Sequence, residues 1–348
     1  MASSSTITAD AGACPWDALP AHLQERILSL IPVTELLPVA AVSRAIHRLL
    51  RSPAFHALLS PHRLDAFFLL NPRLSVHPLS RRVLCTPPLA ALCPPSCPLV
   101  SSASPSRLIT YATLHFLPPI PDGSYLLSVV VQPRNNSCTL VAVTTGAAVR
   151  SYTLDTADPS RQWVSRGDLP VSISVLGNAA VAGDLSQLYV LGRGPDALLV
   201  FDLATGTWEV LPVVMPQGLT TAHLFVYDGR LFLVGGVEKL GEVERVVVWQ
   251  LEDEEVMLWS EVGVMPADVF VELVAGRHGS FWHFQAADRL GIVCLYNVVD
   301  GRLVMFDAAN SLWTVLPRVS GLDIEESRWW FGHVLEPGVE LLVRQCCR

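Results

Sequence analysis

Lysine is all but missing. Lys239 is the single lysine among 348 residues, beside 23 arginines. Charge of either sign is sparse, at 16% of the chain against roughly 25% in an average soluble domain. An unbroken apolar run long enough for a membrane span is also absent. The opening "MASSSTITADAGA" has neither a basic start nor an apolar segment, so it reads as a short disordered tail rather than a secretory signal. The eight cysteines are scattered, and neither Cys93/Cys97 nor Cys346/Cys347 has the partners of a zinc site. They are expected to be reduced thiols in an intracellular protein, and no metal and no cofactor is expected. Gly-x-Ser-x-Gly, a P-loop and spaced His/Cys sets are missing as well, which argues against an enzyme.

What is present is apolar, 51% of the residues, largely Val, Leu and Ala. Such a composition suits strands covered on both faces. The net charge of −8 is unevenly spread. Residues 1–110 carry nine Arg against five Asp/Glu, whereas the rest carries fifteen Lys/Arg against twenty-seven acids. An acidic body argues against nucleic acid as the main ligand and is compatible with a protein partner.

The first sixty residues have a helical pattern. Leu19, Leu23, Ile27 and Ile31 recur every four residues with Leu28 and Leu30 beside them, giving one broad apolar face. Pro20 suits the start of that helix and Pro32 its end. Further short helices are expected around 35–41 and 43–51, with Ser52-Pro53 opening another turn. So few helical residues bury little surface alone, and the apolar face must find a cover.

The succession Leu19-Pro20, Leu23, Ile27-Leu28, Ile31-Pro32, Leu36-Leu37, Val42-Ser43-Arg44, Leu49-Leu50, Ser52-Pro53-Phe55 resembles an F-box. Ser43 and Ile46 depart from that pattern, which often has Cys and Trp there. The resemblance implies docking onto the SKP-type adaptor of a cullin–RING ubiquitin ligase. It carries that role onto Leu19, Pro20, Leu23, Ile27, Leu28, Ile31, Pro32, Leu36, Leu37 and Val42.

Residues 79–123 are rich in Pro, Ser and Cys and read as loop-like. From about 124 to 317 a unit recurs: a strand, a glycine-bearing turn, a second strand ending near an aromatic, a short polar turn, and a tryptophan opening a third strand. The tryptophans are Trp163, Trp208, Trp259 and Trp313, with Tyr152, Phe201, Trp249 and Phe306 upstream. One aromatic pair per unit fits four-stranded propeller blades. Recurrence also decides the role of Gly235-Gly236. A nucleotide loop occurs once and leads into a helix, so these glycines, with Gly192, Gly194 and Gly146, are expected at equivalent turns. The pattern resembles a degenerate kelch repeat. Residues 64–123 and 328–343 are expected to supply about two more blades, making six.

The expected fold is therefore mainly β: a tail at 1–14, a small α-helical F-box at 15–62 and a kelch-type β-propeller at 63–348. That order resembles plant F-box/kelch-repeat proteins, and the 234–266 stretch is similar in layout to their UNUSUAL FLORAL ORGANS branch. The resemblance implies a non-catalytic substrate receptor of an SCF-type ligase in the nucleus or cytoplasm, with neither nucleic acid nor membrane as direct partner. The alternative is a protein-binding propeller with a helical cap and no link to ubiquitin. Target-facing loops are expected at Arg193, at Lys239 and Arg245, and at Arg277 and His278. Lysine poverty then gains a meaning, because a receptor held beside a ubiquitin-transfer centre is exposed to modifying itself; arginine-rich codon usage is the plainer cause.

Overall fold

The computed structural model describes residue 16, residues 18–31, scattered positions from 36 to 58 including 42–50, and strands between 67 and 85. It further describes 121–131, 138–144 and 149–252 with single-residue gaps, then 257–274, 284–297, 301–318 and 334–335. The chain divides into two compact units, Met1–Asp65 with Pro337–Arg348, and Ala66–Glu336.

In the first unit, helix α1 (Ala21–Ser29) starts just after Pro20, whose extended backbone makes it the N-cap. Leu23 and Gln24 donate their backbone N–H groups to the Pro20 carbonyl. The Gln24 side-chain amide reaches back to the carbonyls of Trp16 and Leu19, fixing the chain's approach. Helix α2 (Arg44–Leu50) is capped by Ser43, whose hydroxyl accepts the Ala45 N–H at 3.1 Å, the task serine does well at that position. Ser52 does the same for the Phe55 N–H. Between the helices, Leu36, Val39 and Val42 have helical backbone. Leu28, Leu36, Leu50 and Phe55 form the core of this unit, with Trp16, Ile31, Val39, Ile46 and Leu49 against it.

The second unit consists of five four-stranded antiparallel sheets among the described residues. Four follow the repeats in order: β4 (Ser124–Val131) to β7 (Val164–Asp168), β8 (Val175–Val181) to β11 (Trp208–Leu211), β12 (Leu219–Tyr227) to β15 (Trp259–Val264), and β16 (Phe284–Arg289) to β19 (Leu312–Val315). The three strands visible in each repeat are the second, third and fourth. A preceding strand completes each sheet, and these first strands pack on one another, β8 on β4 and on β12, and β12 on β16. In the fifth sheet, β20 (Val334–Leu335) pairs with β1 (Phe67–Asn71), followed by β2 (Leu74–His77) and β3 (Arg82–Cys85). Strands from the two ends of the unit thus share one sheet, which leaves no open first and last blade to aggregate. Residues 64–123 and 328–343 supply one sheet among the described residues, which makes five described sheets; residues 86–120, counted toward a sixth, lie outside the described residues.

Burial on both faces explains the composition. Along β13 (Arg230–Lys239), Phe232 and Val234 join a core with Val293, Leu295, Val304 and Phe306 of the following sheet. Leu231 and Leu233 face the other way, into a core with Leu191 and Leu198 of the preceding sheet. The alternation continues along β14 (Glu242–Leu251), with Val246 and Val248 on one side and Val247 and Trp249 on the other. Period-two geometry with an apolar sheet on each side leaves no face for charge at these middle positions, and the charged residues of β13 and β14 lie toward the strand ends.

The glycines of this hairpin are placed otherwise than at turns. Gly235 and Gly236 sit inside β13, opposite Val247 and Val246, and Gly192 lies within β9 (Gln187–Arg193). A Cβ on Gly235 would lie 2.4 Å from Leu219 Cδ1 and 2.8 Å from the Thr221 carbonyl oxygen, so close strand approach is what requires glycine there. Of those expected at turns, Gly194 does have positive φ; Gly146 lies outside the described residues.

In two repeats the upstream aromatic lies directly opposite the tryptophan. Phe201 on β10 (Ala197–Asp202) and Phe306 on β18 (Arg302–Asp307) lie directly across from Trp208 and Trp313, with ring centroids 4.8 and 4.7 Å apart. Trp249 instead lies across from Glu261, because Trp259 follows it by ten residues where the paired tryptophans follow by seven, and Tyr152 on β6 (Arg150–Asp155) lies across from Ser165. The polar turns share a device: Asp155, Asp202 and Asp307 each accept the N–H two residues on.

Candidate interaction surfaces

Two surfaces stand out, one in each unit. On the helical unit, Leu23 and Ile27 are one turn apart on α1, and each is 41% exposed. Leu30 and Val42 are also exposed, Val42 to 78%. Leu28 is one residue, hence about 100° around the helix, from Ile27 and only 2% exposed. The helix is therefore apolar on two sides, one used for the unit's own core and one left uncovered. Of the residues grouped for docking, Leu28 and Leu36 are core. Leu19 and Ile31 are half-buried at the margin, while Pro20, Leu23, Ile27 and Val42 are exposed. Pro32 and Leu37 lie outside the described residues.

On the sheet unit, the cations expected to face a target are already engaged. Arg193 Nη1 donates to Asp196 and, at 3.0 Å, to the Leu219 carbonyl, tying the β9–β10 turn to the start of β12. Arg245 forms a two-pronged pair with Glu261 across β14 and β15, at 3.2 and 3.4 Å. Lys239 Nζ lies 3.5 Å from Glu244, and both side chains are more than half exposed. Arg277 and His278 lie outside the described residues. The sheet register brings Lys239 and Arg245 together on one hairpin, and Arg193 sits at the corresponding end of β9. The tip of that hairpin, Leu240-Gly241, was not singled out by charge. Its signal was an apolar residue before glycine in a charged loop.

The same unit is stitched between sheets by polar groups. The Asn178 amide donates to the Leu224 carbonyl at 2.7 Å and accepts the Leu224 N–H at 2.8 Å. Trp208 Nε1 donates to Ser151 Oγ of the preceding sheet at 2.8 Å. His223 Nε2 lies 2.8 Å from Asp288 Oδ1, joining β12 to β16. Helix α3 (Ala267–Val274) is held by Asn297 Nδ2 on the Leu273 carbonyl and by Arg302 Nη1 on Glu272. These partners account for the polar side chains as structural ties. The shifted acids lie in turns: hydrogen bonds from Thr205 hold Asp202 below the usual carboxylate range, and those from Ser186 do so for Asp184. Burial pushes the Cys294 thiol up and leaves it unreactive. No group of His, Cys, Asp or Glu suited to a metal occurs among the described residues.

No family model matches the chain. Among curated proteins it is similar to "F-box/kelch-repeat protein At5g43190" of Arabidopsis thaliana, 27% identical over 92% of this chain and 87% of that one. It is 28% identical to "Protein ABERRANT PANICLE ORGANIZATION 1" of Oryza sativa subsp. japonica, over 76% of this chain and 73% of that protein. It is also similar to "Protein UNUSUAL FLORAL ORGANS" of Arabidopsis thaliana, at 22% over 48% of this chain and 37% of the relative. The curated relatives are thus plant proteins, with an F-box/kelch-repeat protein matched over nearly the whole chain.

Proposed function

We propose that this chain is a substrate receptor of an SCF-type cullin–RING ubiquitin ligase, a protein-interaction adaptor without bond chemistry of its own. The helical unit would dock on the SKP-type adaptor and the sheet unit would hold a target protein. The observation that carries this reading is the division of labour on α1. Leu28 completes a core with Leu36, Leu50 and Phe55, while Leu23, Ile27, Leu30 and Val42 remain exposed. A helix presenting anchors one turn apart is what a helix-in-groove interface requires. Similarity to an F-box/kelch-repeat protein over nearly the whole chain supports the same reading. Catalysis in such a complex comes from proximity, which raises the effective concentration of target lysines at the charged enzyme.

The test is capture of a purified SKP-type adaptor by the full chain and by its Leu23→Asp/Ile27→Asp variant. Wild type is expected to bind and the variant to lose binding; equal failure of both would favour a propeller module unconnected with ubiquitin. The single lysine adds a second experiment. Lys239 is well exposed, so turnover of the receptor through its own ligase should fall in Lys239→Arg, and unchanged proteasome-dependent turnover would remove that site.

A further inference from the structure

Three hairpins of the sheet unit close through two-residue turns with positive φ at both positions: Asp228-Gly229, Leu240-Gly241 and Leu290-Gly291. Such turns match strand twist and favour Asn, Asp or Gly at the first position, where a larger side chain crowds the backbone. Two leucines adopt positive φ elsewhere and find cover within the chain. Leu185, at φ 61°, packs against the core that contains Leu188 and Phe201, and Leu290 is half-buried. Leu240, at φ 55°, is 99% exposed. Its backbone is held in a disfavoured conformation and its side chain gains no packing in return. Strain of this kind persists where function uses it.

The surroundings say what would cover it. The hairpin carries Glu238, Glu242 and Glu244 against Lys239 and Arg245. Lys239 is paired with Glu244, and Arg245 with Glu261. Glu238 and Glu242 have no ion pair among the described residues, which leaves an acidic collar below an apolar tip. We propose that Leu240 is a plug inserted into a pocket of a partner protein, apolar within and basic at its rim. This rests on the receptor reading and assigns the contact by which the sheet unit grips its target.

The test uses the full chain carrying a benzophenone photocrosslinker in place of Leu240, with the crosslinker in place of Asp228, at the other end of β13, as control. Both are irradiated in plant cell extract. A protein crosslinked from 240 and not from 228 is then purified, and its affinity is measured for wild type and for Leu240→Asn. The asparagine suits the turn better than leucine does, so the variant should melt no lower than wild type. The expected result is an unchanged or raised melting temperature with binding weakened about tenfold or more, the worth of one buried leucine. Glu238→Gln/Glu242→Gln should weaken binding further at low salt. Failure to crosslink at 240, or affinity for Leu240→Asn within about twofold of wild type, overturns the proposal. Adaptor capture by Leu240→Asn is followed in parallel, so loss of the plug is distinguished from loss of the receptor reading itself.

Discussion

The helical unit and the sheet unit are both rich in leucine, yet they use their apolar residues differently. In the sheets, neighbouring apolar residues on one strand face opposite cores, so Val246, Val247 and Val248 are all fully buried. In the helices, the apolar residues exceed what a core of four side chains can cover, and Leu23 and Ile27 remain in water. The physical reason is the number of neighbours. A strand between two sheets has apolar surface on each side, whereas a short helix in a small unit has it on one. An exposed leucine in the second setting is what the proposed docking face requires, and the comparison can be broken or sharpened residue by residue.

The largest effect is expected at Phe306, 1% exposed and in tilted ring contact with Trp313. Phe306→Ala should cost about 3–5 kcal/mol, read by denaturant unfolding of the sheet unit. Within the helical unit the contrast is internal. Leu28→Ala should destabilise by about 2–3 kcal/mol, and Leu23→Ala by less than ~1 kcal/mol, while adaptor capture should be more sensitive to Leu23. Equal costs at the two positions would erase the distinction between core and docking face. Gly235→Ala should cost about 1–3 kcal/mol through overpacking, because the Thr221 carbonyl it meets is backbone and yields little. Ser151→Ala leaves the Trp208 indole N–H without its acceptor, for about 1 kcal/mol or somewhat more.

The smallest effect is a pH dependence. Asp184 and Asp202 have folded-state carboxyls below their reference value of 3.8. Depressed acids favour the folded state when ionised. Their contribution is complete above the unfolded value and is lost as pH falls through the folded one. The stability difference between wild type and Asp202→Asn, followed by thermal melts, should therefore shrink as pH drops from about 5 toward 3. A constant difference would mean that the turn is not held by the charge.

Much of this was legible because it repeats. Trp208 and Trp313, with Phe201 and Phe306 before them, announce the sheets, and period-four leucines announce α1. The leading strand of each sheet was harder to read, since β4 and β8 carry no aromatic of the repeat. The aromatic pair at Trp249 differs because its tryptophan comes later: Trp259 follows Trp249 by ten residues, where Trp208 and Trp313 follow Phe201 and Phe306 by seven, so Trp249 lies across from Glu261. Charge drew attention to Arg193 and Arg245, and only the folded chain shows that they pair with Asp196 and Glu261.

Local chemistry alone determined the element types, the recurring sheets and the apolar stripe on the first helix, because periodicity, caps and turn residues act over a few positions. Only the tertiary structure decided which leucines of that stripe form a core, why Gly235 tolerates no side chain, and that strands from both ends of the sheet unit share one sheet. Those outcomes depend on what packs against a residue from far along the chain, and sequence neighbours carry no record of it.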